Sequence, residues 1–581
     1  MLDLKKYLLY NCFGYIFILT GDCIMSELAK KAYDAYKRTS KMNFVQVTTA
    51  KLNVIYNIEC RMKRDPEYKA ELDAFVTEEG ESIGALIEKY FTGYNARHGL
   101  EIRETLTEFL DPDFAEGGYF VINTYKETEN GLVPHIPTEF RVGDKAHAKL
   151  QIFSHSAHLP IKVKKIWYAV LTDDGEKREG YFENTDTVTV DFTLSRPGWV
   201  YFRANAIDEN GKNLLGFDTA FGGALFDWQS IPLTKKTPDN LHLFWEKAID
   251  RLMATDPTDT EPDGYEGLVL YEYDMPKENR FELIKFDAEY VRMLREYKIG
   301  NVTEQMLETF DFYELNLKAP GPCHSSNYLT VPKNADPKSL YLQVSFDGYS
   351  ANPPSPAYST NCICLHCSHH GYKLPRPLEG YYMKLRQGVC MHYGLGDGKP
   401  NSLYEDLNDN YMIYLHLRNL QAIRFVTDPA LSSAISNLHD IWNGEIKLIG
   451  GSMGGYQSIC TAALLPILLK KSAPFKLLSA TANIPAFCNL AGREDGRVSC
   501  MTYYTDGMEY FDAAHLAAFV EVPVIMPRLG LGDRTCSPNG IIAMFNNIPA
   551  GIHKEVNMLQ NSDHGSIPEP EFQKWYKYSF D

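Results

Sequence analysis

Ile446-Lys447-Leu448-Ile449-Gly450-Gly451-Ser452-Met453-Gly454-Gly455-Tyr456 is the stretch that decides the fold. Its first four residues read as a short apolar strand, and Tyr456 to Leu465 is rich in small, helix-compatible residues. Between them stands G-x-S-x-G. A serine on a sharp strand-to-helix turn sits in strained backbone geometry, with its Oγ raised above the sheet edge. Gly450 and Gly454, two residues to either side, leave room where a Cβ would collide with neighbouring backbone. The N–H groups at the start of the helix beneath favour developing negative charge. The plain alternative is a glycine-rich turn with a bystander serine, and the strand and helix around it favour a nucleophile. A phosphate loop would need a following Gly-Lys-Ser/Thr, which is absent.

A serine is a weak nucleophile until a base takes its proton and an acid holds that base in the correct tautomer. On a strand–turn–helix nucleophile the chain order is Ser, then Asp or Glu, then His. Downstream, Glu521-Val522-Pro523-Val524-Ile525-Met526 reads as a buried strand running toward Gly530-Leu531-Gly532-Asp533. Asp533 is the candidate acid. Val556-Asn557-Met558-Leu559 then leads into Gln560-Asn561-Ser562-Asp563-His564-Gly565, which places His564 on a loop after the last strand. Each residue alone is ordinary. The ordered set, each member just after a strand, is far more specific.

These pieces resemble the acetyl xylan esterase and cephalosporin C deacetylase family, carbohydrate esterase family seven. The matching residues are Gly450 to Gly455, Tyr510-Phe511-Asp512, Gly530 to Asp533 with Ser537-Pro538, and Asp563-His564-Gly565. Upstream, Val344-Ser345-Phe346-Asp347-Gly348-Tyr349 is similar to the family's strand ending in Gly-Tyr. The resemblance covers about 310 to 581 and implies an α/β-hydrolase domain that removes acetyl groups from carbohydrates or similar small esters. It implies Ser452 as nucleophile, His564 as base, Asp533 as acid, and an oxyanion hole from the N–H groups of Tyr349 and Met453. It implies no cofactor. Short relatives form ring-like hexamers, which makes a homo-oligomer an expectation. Two departures stand out: Met453 replaces the glutamine that commonly follows the serine, and Ser368-His369-His370-Gly371 replaces an Arg-Gly-x-Gly loop. His369 or His370 is then expected to line the substrate pocket.

Working outward, the fold class is α/β, with the hydrolase domain over 311–581. Tyr341 to Phe346 is a further strand there, and Tyr411 to Phe425 a helix. Residues 235–310 read as a helical connector, with Phe244, Trp245, Ile249 and Leu252 on one helix. Over 118–232 the period is two: Val188, Val190, Phe192 and Leu194 alternate with polar residues, and Asp174-Gly175 and Asn210-Gly211 are turn signals. This indicates a small antiparallel β-sandwich. Residues 26–115 read as helical, with Leu28, Ala32 and Tyr36 on one stripe and Ile83, Leu86, Ile87 and Tyr90 on another. Longer members of the family carry a β-rich N-terminal region, and this chain looks like one of them.

The 581 residues carry a formal net charge of −17 and no basic stripe, so nucleic acid is not an expected partner. No apolar run is long enough to span a membrane. Tyr7 to Thr20, behind Lys5 and Lys6, is signal-like but lacks a small-x-small cleavage site. The expected reading of 1–25 is an over-long start, with a helix beginning at Met25-Ser26-Glu27. A poor signal peptide, which would make the chain secreted or periplasmic, and a structural segment are the alternatives. Twelve cysteines, most in apolar runs, lean toward the cytoplasm.

The cluster Cys362, Cys364, His366, Cys367, His369 and His370, with Cys390 and His392, invites a zinc reading through its C-x2-C spacing. Yet Cys362 to His366 reads as a strand, whose side chains alternate between faces, so no metal is expected. Other function classes stay open at this point: a serine peptidase or other acyl hydrolase of the same fold, and a non-catalytic glycan-binding protein.

Overall fold

The computed structural model describes residues 118–581, apart from 155–158, 209–213, 216–219, 263–278, 298, 322–323, 350–354, 369–406, 409, 500–503, 566 and 569–572, together with parts of 26–89. In the N-terminal part a helix, α1 (Pro66–Asp73), starts on an Asp65 side chain that caps the Tyr68 N–H. A further helical turn covers 83–89. Of the anticipated stripe residues, Ala32, Ile83, Leu86 and Ile87 are buried; Leu28 and Tyr90 lie outside the described residues.

Eight strands follow: β1 (Gly118–Thr128), β2 (Gly131–Pro134), β3 (Ala146–Ser154), β4 (Val163–Thr172), β5 (Lys177–Thr185), β6 (Thr187–Phe192), β7 (Gly198–Ile207) and β8 (Ala220–Phe226). They form two four-stranded antiparallel sheets, in the orders β2-β1-β3-β6 and β5-β4-β7-β8. Val188, Val190 and Phe192 of β6 are buried on the inner face while the residues between them are not, as period-two alternation requires. They join Leu150, Ile166 and Phe202 in a core of the sandwich's own. Asp174-Gly175 makes the β4–β5 turn, with Gly175 at positive φ; Asn210-Gly211 lies outside the described residues.

After α2 (Leu241–Ala254), which buries Phe244, Trp245, Ile249 and Leu252, the chain builds one ten-stranded sheet. Its strands are β9 (Glu282–Lys285), β10 (Phe310–Leu317), β11 (Ser325–Pro332), β12 (Leu340–Phe346), β13 (Cys362–Ser368), β14 (Trp442–Gly451), β15 (Lys476–Asn483), β16 (Val524–Gly530), β17 (Lys554–Gln560) and β18 (Lys574–Phe580). The order is β18-β17-β16-β15-β14-β12-β13-β11-β10-β9. The central pairs from β13 to β17 are parallel and both edges antiparallel. With helices between the parallel strands, this is an α/β-hydrolase sheet. Pro523, lacking an N–H, stays just outside β16, and its carbonyl accepts from the Ala480 N–H at 2.9 Å.

Three more helices matter for the site: α3 (Tyr411–Thr427), α4 (Met453–Leu469) and α5 (Pro538–Asn546). Helix α4 is apolar all round, which suits a helix enclosed on every side. It packs on β12, β14 and β15 and is covered by α2 and α3. No helix among the described residues is long and apolar enough to cross a membrane.

Candidate active site

Strand β14 ends at Gly451, and α4 begins at Met453. Ser452 between them has φ 57° and ψ −118°, a conformation that costs an L-residue roughly 1–3 kcal/mol unless its surroundings enforce it. The enforcement is visible on both sides. The Ser452 N–H donates to the Asn483 carbonyl at 2.9 Å, and the Ser452 carbonyl accepts from Tyr456 and Ala486, each at 3.0 Å. A Cβ on Gly450 would lie 2.2 Å from the Gly454 carbonyl, and one on Gly454 would lie 2.4 Å from the Phe346 oxygen. Gly451, by contrast, has its nearest neighbour at 3.8 Å. The two glycines of the motif are thus required by contact, and the one beside the serine is not.

The three residues singled out in the sequence meet above the sheet. His564 Nε2 lies 2.9 Å from Ser452 Oγ, and His564 Nδ1 lies 2.9 Å from Asp533 Oδ2. Asp533 is fully buried. Its other oxygen, Oδ1, accepts from the Thr535 and Cys536 N–H groups at 2.8 and 2.9 Å, so the carboxylate is oriented by backbone before it meets the imidazole. Arg528 donates from Nη2 to the His564 carbonyl at 2.9 Å. Cys536, which the sequence did not single out, is buried beside the pair: its sulfur lies within 4.8 Å of ligand atoms of both Asp533 and His564.

Tyr349 stands in the turn after β12 and is half-exposed, while Met453 is the first residue of α4 and fully buried. The two segments are tied by Gln457, a buried residue one turn into α4. Its Nε2 donates to the Asp347 carbonyl at 3.0 Å and to the Met453 carbonyl at 3.2 Å. Its Oε1 accepts from Asn419 Nδ2 at 2.8 Å. No sequence signal separates this glutamine from any other helical one.

Of the cysteine and histidine cluster, the described residues lie on β13, where the Cys362 and Cys364 sulfurs are 3.7 Å apart. Cys364 and Cys367 are three apart on β13 and so fall on opposite faces. His366 turns to Asp347, with Nε2 2.7 Å from Oδ1, and its Nδ1 lies 3.1 Å from Ser345 Oγ. His369 and His370 lie outside the described residues. Burial pulls the His366 imidazole down, but the Asp347 charge and hydrogen bond outweigh it and leave the pKa raised. A histidine raised on folding stabilises below its unfolded pKa of about 6.5, and loses that contribution as pH climbs through its folded value. Thermal melts across this window should therefore fall more steeply toward alkaline pH in the wild type than in His366→Gln. Parallel curves would mean the pair carries no charge.

An α/β-hydrolase sheet with a strained serine at the strand-to-helix turn defines the serine-hydrolase superfamily fold. Residues 423–581, which hold that turn and both following loops, match the family model of acetyl xylan esterase (AXE1). This match agrees with the resemblance of the chain's motifs. Similar solved structures include the acetyl xylan esterase from Paenibacillus sp. R4, at 18% identity over 59% of this chain and 94% of that one, with TM-score 0.39. Acetyl xylan esterase 1 from Thermoanaerobacterium sp. JW/SL YS485 is 16% identical over 60% and 94%, with TM-score 0.38. The Pyrococcus horikoshii acylaminoacyl peptidase is 10% identical over 77% and 76%, with TM-score 0.30.

Proposed function

We propose that the protein is a serine esterase that removes acetyl groups from acetylated carbohydrates or similar small esters. The observation that carries this reading is the continuous chain from Ser452 Oγ through His564 to Asp533, with both links at 2.9 Å. Ser452 Oγ attacks the acetyl carbonyl carbon while His564 Nε2 takes the hydroxyl proton. The carbonyl oxygen becomes an oxyanion, received by the N–H groups of Met453 and Tyr349, which the Gln457 amide holds in step. Collapse of the tetrahedral species expels the alcohol, protonated by His564, and leaves an acetyl group on Ser452. Water, deprotonated by the same imidazole, then attacks the acyl carbon and releases acetate. Asp533 keeps the proton of the neutral ring on Nδ1 and stabilises the imidazolium as it forms.

Acetyl preference follows the family resemblance, which supports a short, closed acyl pocket. In an open apolar groove each added methylene gains ~0.8 kcal/mol. In a closed pocket each must displace packed atoms, at ~1–3 kcal/mol. The expected kcat/KM order across a chain-length series of nitrophenyl esters is acetyl above butyryl, with octanoyl nearly inert. Octanoyl turnover equal to acetyl would end the acetyl-esterase reading and leave a broader esterase. A dipeptide amide run in parallel should not be cleaved; cleavage faster than the acetyl ester would move the protein to the peptidases.

A further inference from the structure

One of the places where the sandwich meets the hydrolase domain is at the loops of the acid and the base. The loops that carry Asp533 and His564 are first zipped to each other: the Leu531 N–H donates to the Leu559 carbonyl and the Gly532 N–H to the Ser562 carbonyl, both at 2.9 Å. The sandwich then grips both. From β7, Trp199 Nε1 donates to the Leu531 carbonyl at 2.9 Å. From β8, the Gly223 N–H donates to Gln560 Oε1 at 3.0 Å, and the Gly223 carbonyl accepts from Gln560 Nε2 at 2.9 Å.

The approach is too close for side chains. A Cβ on Gly223 would lie 2.1 Å from the Leu531 oxygen, and one on Gly532 would lie 2.6 Å from Phe221 Cβ. Trp199, Tyr201 and Leu225 belong to the same continuous apolar core as Leu529, Leu531 and Cys536 of the hydrolase domain. Trp199 is fully buried. Burial pushes the Tyr201 hydroxyl up to about 12; Arg203 and Arg534 pull it down while Asp563 and Asp533 push it further up.

We propose that the β-sandwich is a working part of this active site: strands β7 and β8 hold the acid loop and the base loop in register, and Trp199, Gly223 and Gln560 are positioning residues for the Asp533–His564 pair. The proposal rests on the reading of that pair as acid and base. The physical reason is sensitivity to placement, since a shift of about 1 Å in a catalytic group can cost about a hundredfold in rate. Loops rather than strands carry Asp533 and His564, and the sandwich supplies the rigid backing that a loop lacks.

The test uses the full-length protein with Trp199→Phe and, separately, Gln560→Met. Both should lower kcat by about ten- to a hundredfold with KM within about twofold, and both should shift the pH profile of kcat. As a control at the same domain boundary, Thr138→Val removes the 2.5 Å contact between Thr138 Oγ1 and the Tyr578 hydroxyl and should leave kcat unchanged. In the Asp533→Asn background, Trp199→Phe should add almost no further loss, because both act through the same pair. Full additivity there, or wild-type kcat and pH profile in both folded single variants, overturns the proposal. If Asp533→Asn alone leaves the rate intact, the triad reading has failed instead, and the two failures are told apart.

Discussion

Ser452→Ala is expected to lose on the order of a millionfold in kcat while keeping the wild-type melting temperature. The covalent step needs Oγ, and nothing else in the described site offers an oxygen to His564 Nε2. The small alanine side chain still sits at φ 57°, and the network that holds that strain is backbone throughout, so the fold survives. Asp533→Asn is expected to lose about 10⁴-fold. Its amide would point an N–H at His564 Nδ1, which forces the ring proton onto Nε2 and leaves no lone pair for the serine hydroxyl. Steady-state kinetics on an acetyl ester, with circular dichroism to establish folding, checks both. A wild-type rate in Ser452→Ala would remove the serine mechanism.

The largest effect on stability is expected at Asp173, in the β4–β5 turn. This carboxylate is fully buried where the sandwich meets α5. Oδ1 accepts from Asn539 Nδ2 at 2.6 Å and from the Val498 N–H at 3.1 Å; Oδ2 accepts from the Trp199 N–H at 2.9 Å and from Arg497 Nη1 at 3.2 Å. Burial pushes its pKa up, and Arg497 with the three neutral donors pulls it back. Removing one partner of a buried pair costs about 3–5 kcal/mol, because the other charge is left without compensation. Asp173→Ala should therefore lower the denaturant midpoint markedly. The double variant Asp173→Leu/Arg497→Met should lose less than the sum of the two single changes. Strict additivity would mean that the pair is not coupled.

The site was legible because its constraints are local. Gly450 answers to a steric demand within one turn of chain, from Gly454, and Gly454 to the Phe346 carbonyl on the neighbouring strand; both demands fall inside one short strand–turn–helix motif, and that motif writes itself into the sequence. Asp533 and His564 were found by order and by position after a strand, which the topology fixes. The double alternation of β6 and the apolar runs of β12, β14 and β17 were legible for the same reason.

What escaped depends on contacts between distant segments. Nothing around Gln457 tells that its amide bridges Asp347 and Met453. Asp173 stands just before the Asp174-Gly175 turn signal, and nothing in the sequence tells that it is buried against Arg497 and Asn539. Nothing around Gly223 tells that the Leu531 carbonyl stands where its Cβ would be. At the sheet edge, β10 and β11 bury Glu314, Asn316 and Asn327, so neither an alternating nor an apolar pattern marks them as strands. His366 was weighed as a metal ligand, and its partner is instead the carboxylate of Asp347 on the neighbouring strand's end.

The most direct test is to catch the acyl group itself. Wild-type protein is mixed with an acetyl ester in large excess, quenched in acid within the first turnover, digested, and read by mass spectrometry. The expected result is one acetyl group on the peptide containing Ser452, absent from Ser452→Ala and accumulating when deacylation is slowed. Rapid ester hydrolysis with no acetyl on Ser452 at any time, or acetyl found on another side chain, would contradict it.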